Sequence, residues 1–229
     1  MLYTRHSAME NIRNRDGQRV FYLGKGDQLT NDARDYLTGQ RIPILPAEQA
    51  KHETYQLLDG GTIAQKPEHM THLNAQVLVS KTHPRIAFRG AIDALEAQLL
   101  LCQSGADSAM YGKLQEALDL ARMLIRCDVM EEPVPETKLG GMDQQDLRSR
   151  SHLPQKYYGQ PHFMPEGKDS PLLLQINLAR TAARQAELAA THAFSDRDGN
   201  PTRPDILQAL NRLSSYLYIL MIELKANSE

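Results

Sequence analysis

Two long amphipathic patterns in the last third of the chain constrain it most. The first runs from Pro171 to Phe194 and the second from Pro204 to Ala226. SDRDGNPTR, a dense cluster of turn formers, lies between them, so the pair reads as an αα-hairpin. Two more patterns of similar length precede them, over 84–102 and 108–129. Pro84 suits the first turn of a helix, and Pro133 with Pro135 close the second pattern. Ile86, Ile92, Leu95 and Leu99 share a face of one, and Leu114, Leu118, Ala121 and Ile125 a face of the other. Four helices of matched length predict a four-helix bundle, with a fifth, brief helix over 144–151 capped near Asp143.

Polar residues interrupt the hairpin in an ordered way. Asn177, Arg180, Arg184 and Glu187 fall within an arc of roughly 80° at 100° per residue. Asn211, Ser214, Ser215 and Tyr218 do much the same on the second helix. Two arginines a turn apart form a donor fork suited to phosphate or carboxylate oxygens, with Glu187 placed to hold Arg184. A solvated face with i,i+3 pairing gives the same spacing. Asp93 fits either a buried partner for an arginine or sugar hydroxyl, or the solvated edge of its helix.

The region before the bundle reads differently. Residues 1–19 look irregular, and Val20–Leu23, Asn31–Thr38 and Ile42–Pro46 suggest a small strand, helix, strand appendage. Residues 47–71 read as linker or loop, and 73–81 as a short helical or extended piece. The expected division is 1–65 for appendage and linker and 66–229 for the all-α bundle. GKGD at 24–27 is too short for a phosphate-binding loop. The long loop over 152–168, with Tyr157, Tyr158 and Phe163, feeds the arginine helix and suits a ligand lid; loop packing is the other reading of the two tyrosines.

Composition excludes several classes. The 229 residues carry a formal charge of -2, which does not call for nucleic acid, and no apolar run of membrane-spanning length occurs. With no apolar signal core and only Cys102 and Cys127, both in helical patterns, a reducing cytoplasmic setting is expected. His52, His69 and His72 lie close in sequence, but no cysteine accompanies them, so no metal site is expected there.

The segments LLLQINLARTAARQAELAA and RPDILQALNRLSSYLYILM resemble the ethanolamine-utilisation branch of the ATP:cobalamin adenosyltransferases. KPEHMTHLNAQVLVSKTHPRIAFRGAIDALEA and LTNDARDYLTGQRI are similar to it as well, so the likeness covers about 28–50 and 66–226. The related propanediol-type branch carries F-x-x-P-G-G before its arginine helix, matched here by Phe163-Met164-Pro165-Glu166-Gly167. Its A-R-x-x-x-R-x-A-E is matched by Ala179, Arg180, Arg184, Ala186 and Glu187, its N-R-L-S-D by Asn211 to Ser215, and its D-E-L-N by Asp93 to Glu96. The resemblance implies transfer of the 5′-deoxyadenosyl group of ATP to cob(I)alamin with Mg²⁺. It implies Arg180, Arg184 and Asn211 at the triphosphate, Glu187 at an arginine or the nucleotide, and Ser214 and Ser215 beside them. Phe163 would lie against the corrin near cobalt, and Asp93 would order the cobalamin site. A homo-oligomer, trimer or dimer, is implied, with a cobalamin reductase and ethanolamine ammonia-lyase as partners and a bacterial microcompartment as a possible setting.

Three departures stand out. Ser215 replaces the family aspartate. Tyr3-Thr4-Arg5 resembles the start of the family's N-terminal nucleotide loop, but its glycine and aspartate do not follow. The histidine and C-C-x-x-C metal cluster of some ethanolamine-branch members has no counterpart, since 52–70 holds no cysteine. These keep open a non-catalytic cobalamin chaperone or sensor, a microcompartment assembly protein, or a helical adaptor without ligand.

Overall fold

The computed structural model describes residues 1–15, 18–47 and 55–227. The chain divides into two compact units, one of 1–55 with 62–65 and one of 56–61 with the residues from 66 on.

The first unit is a small α/β structure. It contains β1 (Leu2–Tyr3), α1 (Arg5–Glu10), β2 (Ile12–Arg15), β3 (Gln18–Leu23), β4 (Gln28–Leu29), α2 (Asn31–Gly39) and β5 (Ile44–Pro46). The expected strand, helix, strand is there: β3 and β5 pair in parallel, with α2 in the crossover between them. β2 pairs antiparallel with β3, and β1 parallel with β4. Phe21, Ala33, Leu37, Ile42 and Ala8 form its core, and Tyr3 meets Phe21 edge-on at 5.2 Å.

Residues 1–19 therefore correct the expectation of irregular chain. α1 starts at a capping box in which the Thr4 hydroxyl accepts from Ser7 N and the Ser7 hydroxyl accepts from Thr4 N. Serine takes the place that glutamate or glutamine usually holds, which removes the usual sequence signal.

Residues 55–81 are likewise more regular than a linker. They hold β6 (Tyr55–Leu57), β7 (Thr62–Ile63), β8 (Met70–His72) and β9 (Val77–Ser80). β9 pairs antiparallel with β8 and, at Gln56 and Leu57, parallel with β6. Within 73–81 the extended alternative is the one adopted. His52 lies outside the described residues.

The bundle consists of α3 (Pro84–Ser104), α4 (Ser108–Val129), α7 (Pro171–Ala193) and α8 (Pro204–Ala226), joined by α5 (Gln144–His152) and α6 (Pro154–Tyr158). Their starts follow local chemistry. The Asp107 and Ser170 side chains cap α4 and α7, and proline opens α3, α7 and α8. α7 packs between α3 and α8, α4 lies on α3, and α5 lies on α8. The face α7 buries is a stripe of Ala179, Ala183, Ala186 and Ala190, so its neighbours approach closely. Leu124 is fully buried in the last turns of α4, whereas Ile125 is half-buried at the edge. From Tyr216 to Ile222 α8 is buried on nearly every side, apart from the half-buried Tyr218.

Two ionic clusters tie loops to the bundle. Asp128 is fully buried and accepts from Arg85 Nε at 2.8 Å and Arg89 Nε at 2.6 Å, while Arg89 Nη2 donates to the Leu73 carbonyl. Arg203 Nη2 donates to Asp205 and to the Glu132 carbonyl, each at 2.8 Å, and Asp205 accepts from Val134 N. The second cluster fixes the segment after α4 to the start of α8.

Candidate functional site

The polar faces of α7 and α8 meet the end of α5 and the loop after α6. They border an open cavity of about 260 Å³, lined by Ser151, His152, His162, Arg180, Arg184, Ser214, Ser215 and Tyr218. Arg180 and Arg184 share it because four residues on α7 make about one turn. Arg180 is half-buried and its Nε and Nη2 donate to Asn177 Oδ1, at 3.1 and 2.9 Å. Arg184 is exposed and has no hydrogen-bond or ion-pair partner among the described residues. Burial, and then the Arg184 charge beside it, lower the Arg180 pKa. Among the described residues no carboxylate lines the cavity, so its charge calls for an anion from outside.

Glu187 engages Asn211 rather than Arg184. Asn211 Nδ2 donates to Glu187 Oε1 at 3.0 Å, which locks α7 to α8 next to the cavity. Asn211 is half-buried on α8, whereas Arg184 is exposed. Ser214 and Ser215 both donate to the Asn211 carbonyl, so their hydroxyls have fixed directions.

Phe163 sits beside the cavity without lining it. Its ring stacks on Tyr218 at 6.0 Å and lies 5.9 Å from Lys225 Nζ. Two pins hold its loop. At one, His162 Nε2 lies 3.1 Å from the His152 carbonyl and Nδ1 lies 3.1 Å from the Tyr218 hydroxyl. A carbonyl only accepts, so Nε2 carries the proton; in the neutral ring Nδ1 then accepts from the Tyr218 O–H. The Tyr218 oxygen in turn accepts from Phe163 N at 3.4 Å. At the other pin, Asp169 accepts from Lys225 Nζ and from Glu166 N, both at 2.7 Å.

Of the residues singled out in the sequence, Arg180, Arg184, Ser214 and Ser215 meet in the cavity. Glu187 and Asn211 brace it, and Phe163 borders it through Tyr218. Asp93 stands exposed on α3, outside the lining. Tyr157 and Tyr158 turn to Arg150: Tyr157 lies under the Arg150 and Lys156 cations, and burial raises the Tyr158 pKa against an opposing Arg150 bond. His152 and His162 were not singled out, and only His162, adjacent to Phe163, carried any local signal. Among the described residues no three of histidine, cysteine, aspartate and glutamate gather as metal ligands.

A helical bundle with paired guanidiniums, and no carboxylate among the described residues, lining an interhelical cavity is the class of arrangement that suits an oxyanion. The family model for cobalamin adenosyltransferase matches residues 62–224, and the chain belongs to that family. It is 37% identical over 163 residues to the corrinoid adenosyltransferase EutT of Escherichia coli strain K12; the match covers 70% of this chain and 60% of the relative. The corrinoid adenosyltransferase PduO of Citrobacter freundii is 28% identical over 62% of this chain and 43% of its own length. Among solved structures, a variant PduO-type ATP:corrinoid adenosyltransferase from Lactobacillus reuteri, complexed with cobalamin and ATP, superposes with a TM-score of 0.54 at 20% identity. That match covers 70% of this chain and 89% of the other, and is a likeness of fold.

Proposed function

We propose that the chain transfers the 5′-deoxyadenosyl group of ATP to cob(I)alamin, giving adenosylcobalamin and triphosphate. Cobalt(I) attacks C5′, a cobalt–carbon bond forms, and the C5′–oxygen bond breaks with its electron pair leaving on the triphosphate. The corrinoid supplies the nucleophile, so the protein's task is alignment and charge stabilisation. The observation that carries this reading is the Arg180/Arg184 pair in a cavity that no carboxylate lines among the described residues. Those guanidiniums hold the triphosphate as charge gathers on its leaving oxygen. Asn211, braced by Glu187, fixes the α8 side of the nucleotide.

Phe163 gives the corrin an apolar neighbour that keeps water and the lower base off cobalt, and Tyr218 with His162 sets the height of its ring. The lining supplies serine hydroxyls and no carboxylate, so Mg²⁺ would enter on the triphosphate oxygens. Asp93, exposed on α3, would meet the far edge of the corrinoid or a second copy of the chain, which fits a trimer or dimer. The assignment places the chemistry in 66–229 and none in the appendage over 1–65. The product would serve ethanolamine ammonia-lyase, with a reductase supplying cobalt(I), in the cytoplasm or a microcompartment. Ser215, in place of a carboxylate, favours one rival, a cobalamin chaperone or sensor that does not turn ATP over.

Arg184→Ala is the test. With helical content unchanged, kcat/KM for ATP should fall by the equivalent of roughly 2–4 kcal/mol of transition-state stabilisation. Wild-type efficiency in the variant would overturn the assignment. Tight cobalamin binding by the wild-type protein with no triphosphate released under reducing conditions would establish the chaperone instead.

A further inference from the structure

Most arginines that anchor the bundle face a carboxylate: Arg85 and Arg89 meet Asp128, Arg122 meets Glu96, and Arg203 meets Asp205. Arg148 on α5 and Arg212 on α8 do not. Arg212 Nη1 donates to Asn211 Oδ1 at 3.0 Å, and its Nε is buried with no hydrogen-bond partner among the described residues. Burial lowers the Arg212 pKa most, and the facing Arg148 charge lowers it further; Glu187 acts the other way but already accepts from Asn211. Arg148 is exposed and has no hydrogen-bond or ion-pair partner among the described residues.

The two arginines line a cleft of about 530 Å³ together with Gln144, Gln208, Ser149 and His152. Every one of these side chains can donate a hydrogen bond, and among the described residues no carboxylate lines the cleft. Two guanidiniums facing each other in a partly desolvated cleft repel unless an anion sits between them. His152 lines this cleft and the Arg180/Arg184 cavity alike, so the two spaces meet at that residue.

We propose that the cleft between α5 and α8 is a second oxyanion site, in which Arg148 and Arg212 hold a phosphate group of one of the two substrates. The identity of that phosphate rests on the adenosyl-transfer reading. One source is the end of the triphosphate reaching past Arg180 and Arg184. The other is the phosphodiester in the nucleotide tail of cobalamin, which cobinamide lacks. Either way the site adds a contact remote from the reacting carbon, where binding energy orients the substrate.

Calorimetry on the full chain separates the sources. Inorganic triphosphate, hydroxocobalamin and aquacobinamide are titrated into the wild type, Arg184→Ala and the Arg148→Gln/Arg212→Gln double variant. Loss of two charge-assisted contacts should weaken the cognate ligand about tenfold or more. Weaker triphosphate binding with an unchanged cobalamin-to-cobinamide ratio assigns the cleft to the leaving group. Unchanged triphosphate binding with loss of the preference for cobalamin assigns it to the phosphodiester. A double variant with wild-type circular dichroism that matches the wild type for all three ligands overturns the site. If only Arg184→Ala loses triphosphate, the transfer reading stands and this inference alone falls; if the wild type binds none of the three, both fall.

Discussion

Tyr218 does more at the residue scale than its place in a polar stripe suggests. Its hydroxyl bonds His162 Nδ1 and accepts from Phe163 N, while its ring stacks on both neighbouring side chains. Tyr218→Phe keeps the stacking and removes the oxygen, so it tests the pin without opening a cavity. We expect ATP affinity to stay within about twofold of wild type, since the Arg180/Arg184 fork is untouched. With prereduced cobalt(I), transfer should change little. Starting from cobalt(II) and a weak reductant, it should fall several-fold, and Phe163→Ala should fall further along the same axis. Paramagnetic resonance of bound cobalt(II) with ATP present checks this: a full four-coordinate fraction in both variants would remove Phe163 and Tyr218 from that role. Spacing on a single helix made the arginines readable in the sequence. The His162–His152 contact spans ten residues of irregular chain and α6, and left no periodic trace.

At the scale of elements, α8 depends on the Arg203–Asp205 pair at its first turn. Arg203 has no capping side chain to offer the helix, yet it binds Asp205 and the carbonyls of Cys127 and Glu132. The Arg203 bond, foremost, and then the Val134 and Ile206 amides hold the Asp205 carboxyl at about 2, against burial that opposes them. The folded pKa lies below the unfolded value of 3.8, so the ionised form favours the fold. That contribution is complete above pH ~4 and disappears as pH falls through ~2, amounting to roughly 2 kcal/mol. Asp205→Asn should therefore lower stability by about that amount at pH 7. The gap to wild type should close toward pH 2. Urea melts at pH 7 and pH 3 measure it, and a gap that stays constant with pH would show the loss to be one of packing. The long helices were legible because burial on one face imposes a 3.6-residue period over six turns. Strands of two to four residues give almost no such record, which is why β1, β2, β4 and β6 to β8 escaped notice and β9 was read only as one of two alternatives.

For the whole molecule, the question of a resident metal is separate from that of Mg²⁺ on the nucleotide. Residues 52–70 hold no cysteine, and His69 and His72 sit on strand β8 and the turn before it. We expect full activity to return after exhaustive chelation and dialysis once Mg²⁺ is restored, with elemental analysis finding no stoichiometric zinc or iron. Tightly bound metal required for turnover would assign a ligand role to these histidines. The family resemblance gave the cavity its expected occupants. What it left out was the side of the cavity contributed by α5, whose nine residues carry one apolar side chain, Leu147, too few to show a periodic face.

α8 is also the last of the four long helices to be synthesised. It brings Leu210, Leu213, Leu217 and Leu220 to the common core and Asn211, Ser214, Ser215 and Tyr218 to the site. Until it emerges from the ribosome, α3, α4 and α7 have no partner for much of their apolar surface, and the arginine face of α7 has nothing opposite it. A chain folded only as far as α7 would thus leave that apolar surface exposed and its site half-built, and α8 completes the core and the site in one late step.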